Sequence, residues 1–329
     1  MKIIGIDIGG ANTKMASADG EIIELHYIPL WKDTILPRSL GDIAEKLKPD
    51  KVSVVMTGEL ADCFEDKDKG IDFIMRSVND AFDCEVKYID SSGHFHENSG
   101  KLRDLAAANW AASSRLIGSE IGDCIFVDVG STTSDIIPIK NGKHVAGLTD
   151  FSRLVHSELF YAGTLRTNLA YLLEKVNVAD GDCHIASELF STTADAYLLL
   201  EEIPEELYTC ETADGAGKSK TDAMRRLARV VCADLTEISA DEIYHIAQQV
   251  KERQVNLLSQ AISVVAERNG LDRIVSAGLG EFLIKEAAER LGFECISVAS
   301  RWGADVSKVF PAYAAAKIME DEVNVSGKE

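Results

Sequence analysis

The chain has 329 residues, 46% of them hydrophobic and 27% charged, which is enough apolar material for a substantial core and most naturally for two domains. Its 34 Lys and Arg against 54 Asp and Glu leave a formal charge of −20, which argues against a nucleic-acid partner, since a phosphate backbone needs a basic footprint. Seven scattered Cys without a C-x-x-C pair, no basic-then-apolar leader and no apolar run of membrane-spanning length point to reduced thiols in a soluble cytoplasmic protein, not to a disulfide framework, an iron–sulfur site or a membrane.

In chain order, residues 2–17 and 21–28 read as consecutive strands turned at Asp19-Gly20. An amphipathic helix at 40–47, a strand at 51–56 ending in Thr57-Gly58-Glu59, a helix at 71–82 and a strand at 85–89 follow, the alternation of a helix-covered sheet. The Ala-rich stretch at 101–117 predicts a helix leading to a second β-rich run at 124–139. Long helices are then expected at about 152–176, 193–202, 221–235 and 240–269, the last capped by Ser239 with Asp241 and Glu242 behind it. Strand, helix and strand return at 273–276, 281–291 and 293–298, a helix at 311–319 closes the fold, and the charged residues 320–329 should fray. The expected organisation is one α/β domain at 1–118, to which a helix from 304–329 can return, and a second at 119–303 carrying a helical insertion at about 152–270.

One frame occurs twice: Asp7-Ile-Gly-Gly-Ala-Asn-Thr-Lys14 and, 121 residues later, Asp128-Val-Gly-Ser-Thr-Thr-Ser-Asp135. A single polar Gly turn is an ordinary way to join strands, whereas a matched pair at a fixed offset marks an internal repeat. In each, an Asp closes a strand, glycines let the backbone turn tightly, and hydroxyl or amide groups line the tip. Convergent N–H dipoles in such turns favour anions, so two of them can clamp a diphosphate. Gly9, Gly10, Asn12, Thr13, Gly130, Ser131, Thr132 and Thr133 are the candidate phosphate-binding residues, and Lys14 a candidate catalytic cation. Asp7 and Asp128 suit Mg²⁺, a hard ion that binds through few carboxylates plus phosphate oxygens; Asp135 is a candidate metal ligand or general base. Arg166 and Asp195 read either as substrate-binding residues or as caps or a buried pair. Lys218, in a tract that lacks the strand and Gly spacing of a P-loop, reads as a surface-loop residue or as a lid over substrate. The histidines show no metal spacing.

The paired loops resemble those of the actin, hexokinase and heat-shock-protein ATPase superfamily. Ile274-Val-Ser-Ala-Gly-Leu-Gly280 is similar to its adenosine-approaching turn, but Gly278 and Gly280 are not the usual adjacent pair. Thr57-Gly-Glu-Leu-Ala-Asp62, Tyr161-Ala-Gly-Thr-Leu-Arg-Thr167, Thr192-Thr-Ala-Asp195 and Met224-Arg-Arg-Leu-Ala-Arg-Val-Val-Cys232, with the two loops, resemble an archaeal branch related to hydantoinase and oxoprolinase proteins. The resemblance implies an α/β fold of duplicated actin-like (ribonuclease H-like) domains with a helical insertion in the second. It also implies a transferase of methanofuran biosynthesis, condensing an aminomethylfuran-methyl (furfuryl) diphosphate with γ-glutamyltyramine to an aryl ether and releasing diphosphate. Small molecules, with no nucleic acid and no membrane, are then the partners, and homo-oligomerisation stays open. The alternatives are an ATP-dependent kinase or hydantoinase/oxoprolinase-like hydrolase on the same loops, and a non-enzymatic actin-like or regulatory protein.

Overall fold

The computed structural model describes residues 1–30, 35–96, 102–178 and 181–326. The first sheet is built from β1 (Ile3–Ile8), β2 (Asn12–Ser17), β3 (Ile23–Tyr27), β4 (Lys51–Met56), β5 (Glu85–Ile89) and β6 (Phe95–His96), in the order β3-β2-β1-β4-β5-β6. β1, β2 and β3 run antiparallel in turn, whereas β4 lies parallel to β1 and β5 parallel to β4. All six residues of β1 are buried, as a near-continuous apolar run in a covered central strand requires. Helices α1 (Leu36–Leu47) and α2 (Lys67–Ala81) pack on one another and supply Leu40, Ile43, Ile71 and Ile74 to a core shared with Ile6, Ile8 and Val54. α2 starts one turn earlier than its apolar spacing predicts, because Asp66 accepts the Lys69 N–H at 2.8 Å and caps a polar first turn.

The predicted helix at 101–117 is broken. A 3₁₀ turn covers Leu102–Leu105, Ala107 adopts a φ of 49°, and α3 (Asn109–Glu120) starts only after that kink; Lys101 lies outside the described residues. The second sheet holds β7 (Cys124–Val129), β8 (Ser134–Lys140), β9 (Lys143–His144) and, after α4 (Asp150–Val155), β10 (Leu159–Phe160). The helix expected at 152–176 therefore does not form: only α4 and the single turn α5 (Leu169–Leu172) are helical, and between them the chain wraps the second Gly turn. A ribbon of β11 (Lys175–Val178) and β12 (Gly181–His184) follows, then α6 (Thr193–Leu199), α7 (Lys220–Val230) and the 30-residue α8 (Ala240–Asn269), whose Ser239–Glu242 capping box is formed. β13 (Arg273–Ala277), α9 (Glu281–Leu291) and β14 (Glu294–Ser297) complete a sheet ordered β10-β8-β7-β13-β14, with β9 antiparallel to β8.

After the short helices α10 (Val298–Trp302) and α11 (Ala304–Lys308), α12 (Phe310–Ser326) packs against β1, β2, β4 and α3. It approaches β1 so closely that a Cβ on Gly5 would lie 1.8 Å from the Ala312 carbonyl oxygen. Residues 320–326 are helical, not frayed, and residues 327–329 of the predicted fraying segment lie outside the described residues. The strand order β2-β1-β4-β5 in one sheet answers β8-β7-β13-β14 in the other, which is the duplication. Compactness divides the chain into Met1–Phe126 with Ile137–Glu158 and Ile296–Glu329, and Val127–Ile136 with Leu159–Cys295. Among the described residues, no helix is long and apolar enough to cross a membrane.

Candidate functional site

The two Gly turns close in the same way. The Gly9 N–H donates to the Asn12 carbonyl at 3.0 Å, and the Gly130 N–H to the Thr133 carbonyl at 2.9 Å. None of Gly9, Gly10 and Gly130 takes a left-handed φ, so what the glycines provide is space and not unusual dihedrals. A Cβ on Gly9 would lie 2.9 Å from the Asn12 carbonyl oxygen, whereas one on Gly10 would meet nothing within 4 Å and would fill the open side of the turn. Behind each turn a second glycine grips the end of the loop-bearing strand: the Gly58 N–H donates to the Ile8 carbonyl at 3.0 Å, and the Gly280 N–H to the Val129 carbonyl at 2.9 Å. Ile8 and Val129 are again 121 residues apart, so the repeat extends from the turns to their supports.

In the first turn, Asp7 and Lys14 face one another across the β1–β2 register, with Lys14 Nζ 3.5 Å from Asp7 Oδ2. Asn109, at the start of α3, brings its side chain to the same carboxyl, a member of the site that the sequence pattern does not reveal. Asp7 is 2% exposed, and burial pushes its pKa up against the opposing pull of Lys14 and Asn109. Asp7 Oδ1 and Thr13 Oγ1 are both buried and have no hydrogen-bond partner, an unusual combination beside an open turn.

Glu59 follows Gly58 directly and was missed as a functional candidate because one Glu in a turn carries no pattern. It is 2% exposed with Oε2 unpartnered; burial raises its pKa, with the Ala107 N–H and the Lys67 charge pulling the other way. A carboxyl whose pKa is higher folded than unfolded stabilises the fold most below about pH 4, and that contribution is lost as pH rises through the folded value. Glu59→Gln is therefore expected to raise the melting temperature at about pH 7.5 and to leave it nearly unchanged at about pH 4. Thermal unfolding at both pH values checks this, and an equal gain at both would place the effect elsewhere.

Around the second turn the packing is closer. A Cβ on Gly163 would lie 2.5 Å from the Thr132 nitrogen, and the N–H groups of Thr164, Leu165 and Arg166 donate to the carbonyls of Gly130 and Ser131 at 2.9–3.0 Å. Gly278, with φ of 88°, sits where a Cβ would fall 2.2 Å from Asp128 Oδ1. A Cβ on Gly280 would fall 2.8 Å from Thr164 Oγ1. Both glycines thus pack against the strand end that carries Asp128 and Val129. Ser131, Thr132, Thr133 and Asp135 are half-buried, with Asp135 on β8 opposite Leu159 of β10. Arg166 is exposed beside Ser131.

Two of the expected substrate residues lie elsewhere. Asp195 is fully buried at the start of α6: Oδ1 accepts from Arg226 Nε and Nη2 at 3.0 and 2.7 Å and from Tyr208 Oη at 3.0 Å, while Oδ2 accepts from Ser191 Oγ at 2.8 Å and the Thr192 N–H at 3.3 Å. With both oxygens saturated it is a cap and a buried ion-pair partner, not a phosphate ligand. Lys218 donates to the Tyr208 carbonyl and lies over the Tyr208 ring at 5.2 Å, which fixes it beside that pair and does not leave it poised as a lid. Among the described residues, no group of three or more His, Cys, Asp and Glu could hold a metal by itself.

Comparison with known proteins agrees with this architecture. A protein of Methanocaldococcus jannaschii named (4-{4-[2-(γ-L-glutamylamino)ethyl]phenoxymethyl}furan-2-yl)methanamine synthase is 38% identical over 330 residues, covering 98% of both chains. A protein of the same name from Methanococcus vannielii is 40% identical over 206 residues, 61% of this chain and 93% of that one. The nucleotide-free structure of acetone carboxylase aligns with a TM-score of 0.56 over 96% of this chain and 70% of its own at 10% identity, a likeness that speaks for the fold alone. The family model for hydantoinase/oxoprolinase matches residues 50–322, and with that span and the near-full-length relative the chain belongs to the hydantoinase/oxoprolinase family.

Proposed function

We propose that this protein is a transferase of methanofuran biosynthesis that condenses an aminomethylfuran-methyl diphosphate with γ-glutamyltyramine, forming an aryl ether and releasing diphosphate. The observation that carries the reading is the near-full-length relationship to a synthase of that ether, together with a pair of anion-favouring turns closed by the same hydrogen bond. The bond between the furfuryl carbon and the diphosphate oxygen breaks, the phenol oxygen bonds to that carbon, and the phenol proton passes to a base. Backbone N–H groups of an anion-favouring turn, joined at the first turn by the Lys14 ammonium, are suited to absorb charge as the leaving group departs. Asp135, one residue beyond Ser134 at the end of the second turn, is assigned as the base, because a phenol of pKa about 10 needs its proton removed for efficient attack.

Mg²⁺ fits the residues present. Asp7 offers a buried oxygen without a partner, and a site with few protein ligands suits an ion that fills its shell with phosphate oxygens and water. Asp7 at the first turn, or Asp128 at the second, would hold it, and it would supply charge neutralisation at the diphosphate.

The test is incubation of the furfuryl diphosphate with γ-glutamyltyramine, Mg²⁺ and protein, followed by mass spectrometry. The ether and free diphosphate should appear without any nucleotide. No ether from folded protein with intact diphosphate, or ether formation that requires ATP, would overturn the assignment.

A further inference from the structure

The segment at 159–172 combines two features that the reaction's leaving-group site does not use: exposed aromatic rings and an exposed cation, held on a rigid support next to the second turn. In the β10–β8 pairing, Leu159 stands opposite Asp135 and Phe160 opposite Ser134, so the segment starts on the strand next to the one that carries the residue assigned as base. Tyr161 and Tyr171 are each 60% exposed, and the Phe160 and Tyr171 ring centroids are 6.3 Å apart, within the range of an interacting aromatic pair. The backbone beneath them is fixed. Ser134 Oγ donates to the Ala162 carbonyl at 2.7 Å, the Gly163 N–H donates to Thr167 Oγ1 at 2.9 Å, and Asn168 caps α5 by accepting the Ala170 N–H at 3.0 Å. The exposed Arg166 is held by its own N–H on the Ser131 carbonyl at 3.0 Å.

We propose that this segment is the acceptor subsite, with Phe160, Tyr161 and Tyr171 holding the phenol ring of γ-glutamyltyramine and Arg166 its glutamyl carboxylate; the inference rests on the transferase reading above. The acceptor is an aromatic ring tethered to a carboxylate. Rings that pair with a phenol and a guanidinium that forks onto a carboxylate match its ring and its carboxylate. The diphosphate, by contrast, is served by backbone N–H groups and Lys14.

Calorimetry with γ-glutamyltyramine, plain tyramine and inorganic pyrophosphate with Mg²⁺ tests the assignment on the full chain. Arg166→Gln should weaken γ-glutamyltyramine roughly 10- to 100-fold, the equivalent of one lost charged hydrogen bond, while leaving tyramine and pyrophosphate unchanged. Tyr161→Ala and Tyr171→Ala should weaken both phenols and spare pyrophosphate. If Arg166→Gln instead weakens pyrophosphate, the cation serves the leaving group and the proposal fails; it fails equally if no variant changes phenol binding. Ether formation by the wild type, with a KM for γ-glutamyltyramine that is the same in Arg166→Gln, overturns the subsite and leaves the transferase reading standing. Wild-type protein that binds γ-glutamyltyramine through these residues but forms no ether overturns the transferase reading and supports the subsite.

Discussion

Asp7→Asn is expected to reduce turnover by about 10²–10³-fold, the usual cost of one preorganised electrostatic contact, while the protein becomes more resistant to heat at neutral pH. The two effects have one origin. The carboxylate is buried at the end of β1 with Oδ1 unpartnered, and burial raises its pKa despite Lys14 and Asn109, so its charged form weighs on the folded state. By linkage, a folded pKa above the unfolded one means stability that is present below about pH 4 and lost at higher pH, and the neutral amide removes that loss. A group held at such a cost beside a turn proposed to take an anion is suited to a ligand that supplies positive charge. Thermal shifts with pyrophosphate and Mg²⁺ provide a readout independent of turnover: the wild type should be stabilised by the two together and Asp7→Asn much less. Unchanged turnover with a lower melting temperature would show that Asp7 serves only to hold its turn.

Arg226→Ala is expected to cost about 3–5 kcal/mol, the penalty for stranding a charge whose buried partner is removed. Arg226 and Asp195 are both fully shielded from solvent, and Arg226 also reaches Asp214 Oδ1 at 3.1 Å and the Gly217 carbonyl at 3.0 Å, which ties α7 to the start of α6 and to the loop between them. Asp195→Ala should be destabilising by a similar amount because it strands the guanidinium. The paired exchange Asp195→Leu with Arg226→Met should recover much of the loss, as apolar replacements of buried ion pairs commonly do. Thermal or urea unfolding of the three proteins checks this. Should Asp195→Ala keep the wild-type melting temperature and lose pyrophosphate affinity, Asp195 would return to the binding site.

The sequence made legible whatever is periodic or repeated. β1, β4, β5 and α8 lie close to where alternation, apolar runs and the Ser239 cap place them, because each carries its signal within a single window. The repeated turns were visible for the same reason, and their equivalence extends to the shared N–H bonds of Gly9 and Gly130. What failed was the stretch at 152–176, whose composition suits a helix but whose backbone is claimed by the second turn through Gly163, Thr164 and Arg166. Tertiary hydrogen bonds to residues some thirty positions away leave no local periodicity to read. Asn109 and Glu59 escaped for a related reason: each meets the first turn through the tertiary fold, Asn109 across the kink at Ala107 and Glu59 through the glycine beside it. Arg226 likewise carries no local signal, because its partner Asp195 lies thirty-one residues earlier.

The contact between Gly5 and Ala312 joins β1 to α12, a helix made about 300 residues later. At roughly 5–20 residues per second, a ribosome needs on the order of 15–60 s to produce the chain between them. For that interval the apolar residues of β1 can pair with β2 and β4 but lack the cover that α12 later provides, so the nascent sheet presents the kind of surface that chaperones bind and that aggregation exploits. Completion of the first unit thus waits until α12 has been made, and the Cβ-free position at Gly5 is where the late-arriving helix docks its backbone.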